Sequence, residues 1–270
     1  MSGETERLSV DGTAVTGLAA LDLSPAPAAA SPYRRVLAYA SLELRQQLRN
    51  GEQLLLTVAI PVGVLVLLST VPIIDLGTDP VAFVAPGVLA LAVLSTAFTG
   101  QAISTGFERR YGALKLLGAT PLGRAGLLAG KTLAVLATEV LQLVVLCAVA
   151  VGIGWRPHLA VGAAVLLLVL GTAACSGLGL LVAGTLRAEA TLAGANLLYV
   201  IFLALGGVVF PVRDFPAGAR HVLDLLPLNA MANGLRDALQ HGTFPGGSVL
   251  VLACWAAGAL VAASLTFRWD

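Results

Sequence analysis

Residues 124 to 154 read RAGLLAGKTLAVLATEVLQLVVLCAVAVGIG, and this stretch decides the fold class. From residue 132 onward it is almost wholly apolar and carries a single charge, that of Glu139. About 20 mostly apolar residues are enough for a helix to cross the hydrocarbon core of a bilayer. Lipid offers backbone groups no hydrogen-bond partners, whereas a helix satisfies its own, so the stretch predicts a membrane-spanning helix.

Five further stretches are equally apolar and contain no charge: 54–74, 82–106, 159–183, 190–210 and 248–267. Across the chain 57% of residues are hydrophobic and 11% are charged, whereas soluble domains carry about 25% charged residues. The runs are continuous, while a transmembrane β-barrel needs short strands of alternating character. We therefore predict an all-α integral membrane protein with six transmembrane helices.

Basic residues gather in alternate connections between these spans. They precede the first span, lie between the second and third and between the fourth and fifth, and follow the sixth: Arg34, Arg35, Arg45, Arg49, Arg109, Arg110, Lys115, Arg124, Lys131, Arg187 and Arg268. Positively charged loops face the cytoplasm, so both termini are predicted to be cytoplasmic. The net charge of +1 gives no sign of nucleic-acid binding.

The segments outside the spans have distinct characters. Residues 1–30 are rich in small residues and proline, which predicts a disordered cytoplasmic tail before a membrane domain at 31–270. The segment 33–50, YRRVLAYASLELRQQLRN, predicts an amphipathic helix in the cytoplasmic membrane interface. Its apolar stripe consists of Tyr33, Leu37, Ala40, Leu44 and Leu48.

The segment 211–247, between the fifth and sixth spans, is too polar to cross the membrane and too apolar for an open loop. It predicts short external helices that dip back into the outer leaflet and are broken at Pro227, with Leu228 and Arg236 in the second of them.

The opening stretch also contains, from Ala125, the pattern A-x-x-x-x-G-K-T, a permissive form of the nucleotide-binding P-loop. A working P-loop is a flexible turn between a strand and a helix. Here Leu127 and Leu128 favour continuous helix, and Thr132 leads into a membrane span. We therefore expect no nucleotide site, and we expect Arg124 and Lys131 to snorkel toward lipid phosphates.

The loop 107–134, FERRYGALKLLGATPLGRAGLLAGKTLA, resembles the cytoplasmic loop of ABC exporter membrane subunits of the drug- and polysaccharide-export (type-2) class. The matching residues are Glu108, Arg109, Arg110, Gly112, Leu116, Leu117, Thr120, Pro121, Leu122, Arg124, Gly130 and Lys131. Residues 225–239, LLPLNAMANGLRDAL, are similar to the external segment before the last span of that family. The resemblance covers about residues 33–268.

The resemblance implies a membrane subunit that is not itself an enzyme and holds no cofactor or metal. It implies pairing with a second permease subunit, identical or similar, and two separate ATPase subunits that bind ATP and Mg in a bacterial plasma membrane. A hydrophobic drug, antibiotic or lipid-like compound is the expected cargo, with polysaccharide as the alternative.

The resemblance also implies a coupling helix at 107–118 that contacts the ATPase. Phe107, Tyr111 and Leu114 share one face of such a helix, and an ordinary basic loop would not explain that apolar stripe. The expected contact residues are Phe107, Glu108, Arg109, Arg110, Tyr111, Gly112, Leu114, Lys115 and Leu117.

A carboxylate in mid-membrane, at Glu139, is costly and needs an explanation. Gln142 lies three positions later on the same helix face. Glu139 and Gln142, with Asn196, either line a substrate pathway or form hydrogen bonds between helices. In the second case Asn196 and Gln101 are candidate partners of Glu139. An ion-gradient-driven transporter would use Glu139 as a proton carrier, but we find no inverted repeat of the kind that often marks such folds.

Overall fold

The computed structural model describes residues 30–71, 79–157, 160–208 and 215–266. Within these ranges the chain is helical apart from short connections and contains no strand, which confirms the all-α prediction. The helices are α1 (Pro32–Arg49), α2 (Gly51–Thr70), α3 (Pro80–Arg110), α4 (Ala113–Gly118), α5 (Gly123–Ile153), α6 (Val161–Thr185), α7 (Ala188–Leu205), α8 (Ala217–Asp224), α9 (Pro227–Arg236) and α10 (Gly246–Thr266). Nearly all of the predicted tail lies outside the described residues.

Five of these helices are long and apolar enough to cross a membrane: α3, α5, α6, α7 and α10. The first predicted span corresponds to α2, whose apolar part, Thr57–Thr70, is shorter. The multi-pass architecture is thus confirmed, and the number of six spans stays a prediction at α2.

Helix α3 is the central helix of the bundle, because 83% of its most apolar part is buried. It packs against α2, α5, α6, α7 and α9. Its middle, Leu94–Gly100, forms a π-helical turn, a distortion that is frequent at functional sites. Gly179 of α6 lies so close to this turn that a Cβ there would stand 2.7 Å from the carbonyl oxygen of Phe98.

Helix α1 packs along the beginning of α5 through a face different from its apolar stripe. Tyr39, Ala40 and Glu43 are buried, whereas Tyr33 and Leu37 are exposed. Of the predicted stripe Ala40 is buried, Leu44 is half-buried, and Tyr33, Leu37 and Leu48 are exposed, which is compatible with the predicted interfacial position of this helix. Burial also raises the pKa of the Tyr39 phenol, so this side chain stays neutral.

The predicted continuous coupling helix at 107–118 is wrong, because the structure breaks it in two. Residues 107–110 form the last turn of α3, and α4 begins only after Gly112, whose φ of 79° lies in the left-handed region. Glycine adopts this conformation without steric cost and commonly ends a helix. Leu114 does not share a surface with Tyr111, since it is fully buried beside Leu127.

The segment predicted to be external forms two short helices, as expected, α8 and α9, with Pro227 at the start of α9. Proline suits the first turn of a helix because an N–H group there would have no carbonyl partner within the helix, so none is lost. Helix α9 is largely buried, with Leu228 fully so, and packs against α3, α6 and α10. Residues 211–214 of the predicted segment lie outside the described residues.

Candidate functional site

Three charged side chains from three helices meet where α5 begins. Lys131 of α5 is 1% exposed, and its Nζ lies 2.6 Å from Glu43 Oε1 of α1. The same nitrogen lies 2.9 Å from the carboxylate of Glu108, in the last turn of α3. We call these three residues the Lys131 cluster. It ties α1, α3 and α5 together by hydrogen bonds in which both partners are charged, the stronger kind.

The prediction that Lys131 snorkels to lipid phosphates is therefore wrong. Arg124 is exposed, and its snorkelling stays a prediction. A lysine at the end of an apolar run carries no sign of which way it points, and its partner Glu43 is far away in the sequence. The pattern that resembled a P-loop lies inside the uninterrupted helix α5. Gly130 has a packing role there, because a Cβ would stand 2.5 Å from the Tyr39 ring.

A cavity of about 190 Å³ adjoins the Lys131 cluster. It is lined by the second half of α1, the start of α2, the π-helical turn and following residues of α3, and Val135 and Thr138 in the middle of α5. Most of its lining residues have polar side chains, among them Glu43, Gln47, Thr57, Gln101, Glu108 and Thr138. Sequence patterns gave no sign of this cavity, because its walls come from four helices.

Polar side chains connect these helices to one another. Gln142 of α5 donates from Nε2 to the Thr57 carbonyl at 2.7 Å and accepts from Thr96 Oγ1 at 2.9 Å. Thr138 Oγ1 donates to Gln47 Oε1 at 2.7 Å. Gln142 therefore lies among polar groups of the bundle, as its place on the face of Glu139 suggested.

Glu139 is buried and contacts α6. Thr172 donates a hydrogen bond to its Oε2, while its Oε1 has no partner among the described residues. The predicted partners differ from this one. Gln101 accepts instead from Ser176 Oγ at 2.8 Å, and Asn196 has an exposed side chain on α7. Of the two interpretations, the contact favours a hydrogen bond between helices, and Glu139 does not line the cavity.

The two arginines at the end of α3 bind the connection between α6 and α7. Arg109 donates to the carbonyl of Ala183 at 2.9 Å and to that of Leu186, and Arg110 pairs with Glu189. A cation at the C-terminal end of a helix interacts favourably with its unpaired carbonyls. Both side chains thus hold this chain's own helices together.

Two large apolar side chains at and near the start of α4 are exposed, Tyr111 by 77% and Leu116 by 75%. The Tyr111 ring stacks on Phe107 with centroids 6.2 Å apart. Lys115 is exposed beside them, and Leu117 is partly buried. Leu116 is a contact candidate that the sequence analysis missed, because a single continuous helix would have placed it off the apolar stripe.

At the opposite end of the bundle, Arg236 is buried and fixes the end of α9. Its Nη2 donates to the Gly207 carbonyl at 2.8 Å and its Nη1 to Asn233 Oδ1 at 2.8 Å. The guanidinium also lies 3.9 Å above the centre of the Phe83 ring, a cation–π contact. The predicted external residues Leu228 and Arg236 thus anchor α9 to the rest of the bundle.

Comparison with known families gives one match. The family model described as ABC-2 type transporter matches residues 34–239, from α1 to the turn that follows α9. The search of the curated proteins finds no match.

Proposed function

This chain belongs to the ABC-2 type transporter family, and we propose that it is the membrane-spanning subunit of an ATP-driven exporter. Proteins of this family are the membrane component of ABC transporters and not their ATPase. The family match therefore favours ATP over an ion gradient as the energy source. The proposed complex contains two membrane subunits and two ATPase subunits in a bacterial plasma membrane, with both termini of this chain in the cytoplasm.

The proposed cargo is a hydrophobic drug, antibiotic or lipid-like compound, with polysaccharide as the alternative. The bundle supports the first, since the described cavity is small and could hold only part of an amphiphile. A polysaccharide needs a wide polar passage, which would have to form between two subunits. Helix α7 is the least buried of the long apolar helices and carries the exposed Asn196, so it is available for such a contact.

The observation that carries the coupling proposal is the exposed pair Tyr111 and Leu116. Two large apolar side chains at one loop favour a protein partner, and aromatic residues often dominate the energy of such contacts. Leu114 of α4 lies in a buried apolar cluster that also contains Leu127 and Leu128 of α5. We infer that a push on α4 would reach α5 through this cluster.

The test is the double variant Tyr111→Ala with Leu116→Ala, measured as co-purification of the partner ATPase and as transport in the same membranes. Loss of an interface anchor costs about 2 kcal/mol, or roughly thirtyfold in affinity. We expect ATPase association and transport to fall together, while Tyr33→Ala, which removes an exposed aromatic ring from α1, leaves both unchanged. Full ATPase recovery with the double variant would refute the proposed docking surface.

A further inference from the structure

We propose that the cavity beside the Lys131 cluster binds a protonated amine that carries a hydroxyl or carbonyl oxygen next to it. This inference deepens the proposed function and rests on it, because such a head group would belong to an amphiphile at the start of its path. Its binding can nevertheless be measured without the ATPase.

The first argument is charge. Glu43 and Glu108 both line the cavity, whereas none of the lining residues is a lysine or arginine. Lys131 Nζ contacts both carboxylates, so one formal negative charge remains when both are ionised. A surplus charge on carboxylates that have lost most of their contact with water is costly, and a ligand cation would offset that cost.

The second argument is an unused donor. Gln101 lines the cavity and is 4% exposed. Its Oε1 accepts from Ser176, but its Nε2 has no partner among the described residues. A buried donor without a partner costs about 1–3 kcal/mol, and an oxygen on the ligand that comes within reach of Nε2 would remove this cost. The ligand should therefore carry an acceptor beside its cation.

The third argument is size and position. A volume of about 190 Å³ suits a small polar head group rather than a whole amphiphile. The π-helical turn of α3 brings Ser95, Thr96 and Gly100 to the wall. Such turns change the direction of side chains relative to a regular helix, and here they add hydroxyl groups to the cavity.

The probe is radiolabelled N-dodecylethanolamine, a cation with a neighbouring hydroxyl at neutral pH. Its binding is measured to the full chain in phosphatidylcholine nanodiscs, with empty nanodiscs as the correction for partitioning. We expect the neutral analogue dodecanoyl ethanolamide to compete about tenfold more weakly or worse, because it carries no positive charge to offset the surplus carboxylate charge. Dodecylamine, which lacks the oxygen for Gln101, should also compete more weakly.

Two variants locate the site, and each has a matched control. Glu108→Gln removes the surplus charge and should weaken binding about tenfold or more, while Glu189→Gln, in an exposed ion pair outside the cavity, should not. Ser104→Leu fills the cavity and should weaken binding equally even if Glu108→Gln folds poorly. The control for Ser104→Leu is Ser264→Leu in α10. Both serines donate a hydrogen bond to the carbonyl three residues earlier, so both variants lose the same kind of bond, but Ser264→Leu should not change binding.

Equal binding by the parent, Glu108→Gln and Ser104→Leu would overturn the proposal, and so would equal affinity for the cationic and neutral probes. Nanodiscs that contain phosphatidylethanolamine identify the source of the amine. Competition by this lipid assigns the site to a lipid head group, and no competition assigns it to an exported amphiphile. If the double variant loses ATPase association as expected but the amine probe does not bind as expected, only the amine site is wrong and the proposed function stands.

Discussion

Replacing Lys131 with methionine should strongly destabilise the bundle. Methionine keeps much of the side-chain volume but removes the only ammonium group between Glu43 and Glu108. Nζ lies 2.6 Å and 2.9 Å from the two carboxylates. Breaking a buried ion pair on one side costs about 3–5 kcal/mol, because the remaining charge is left without compensation.

The expected effect is large enough to measure in detergent. For chains of this size, 1 kcal/mol shifts the midpoint of thermal unfolding by about 2–4 °C, so Lys131→Met should lower it by about 10 °C. The measurement is the fraction of full chain that remains monodisperse by size-exclusion chromatography after heating. The control is Lys115→Met, an exposed lysine, which should shift the midpoint by no more than about 2 °C.

A triple variant separates the loss of charge balance from the loss of packing. Glu43→Gln and Glu108→Gln added to Lys131→Met leave no charge in the cluster, and neutral replacement of a buried charged group is often tolerated. We expect the triple variant to recover more than half of the lost midpoint. If Lys131→Met behaves like Lys115→Met, or if the triple variant is worse than Lys131→Met, the cluster does not stabilise the bundle as described.

Three further predictions concern topology, the membrane carboxylate and helix packing. Cysteines introduced at Ala113 and Val222 of a cysteine-free variant should react with an impermeant reagent from opposite sides of the membrane, and reaction from one side would exclude the proposed topology. Glu139→Gln retains an acceptor for Thr172, so it should change transport of cationic and neutral substrates equally; a selective loss for cations would assign Glu139 to the pathway instead. Gly130→Val should displace α1 from α5, since even a Cβ would meet the Tyr39 ring. We expect faster proteolysis of α1 in this variant. The control Gly152→Val, where a Cβ meets open space, should show no such change.

The sequence alone was enough for the class of fold. A helix in lipid must be apolar over its whole circumference, so its position can be found from composition without knowledge of its neighbours. Runs such as 159–183 and 248–267 therefore coincide with α6 and α10 to within a few residues. The helix break at Pro227 was also predictable without knowledge of neighbouring helices, since it depends only on the backbone of one residue.

The candidate site depended on tertiary structure, because its groups come from distant parts of the chain. Lys131 meets Glu43 and Glu108 only after α1, α3 and α5 have packed, and nothing at position 131 distinguishes an inward lysine from one that reaches lipid. In a membrane helix apolar residues cover every face, so periodicity does not show which face turns inward. The cavity and the partner of Glu139 were therefore decided by packing, whereas the spans were decided by the sequence.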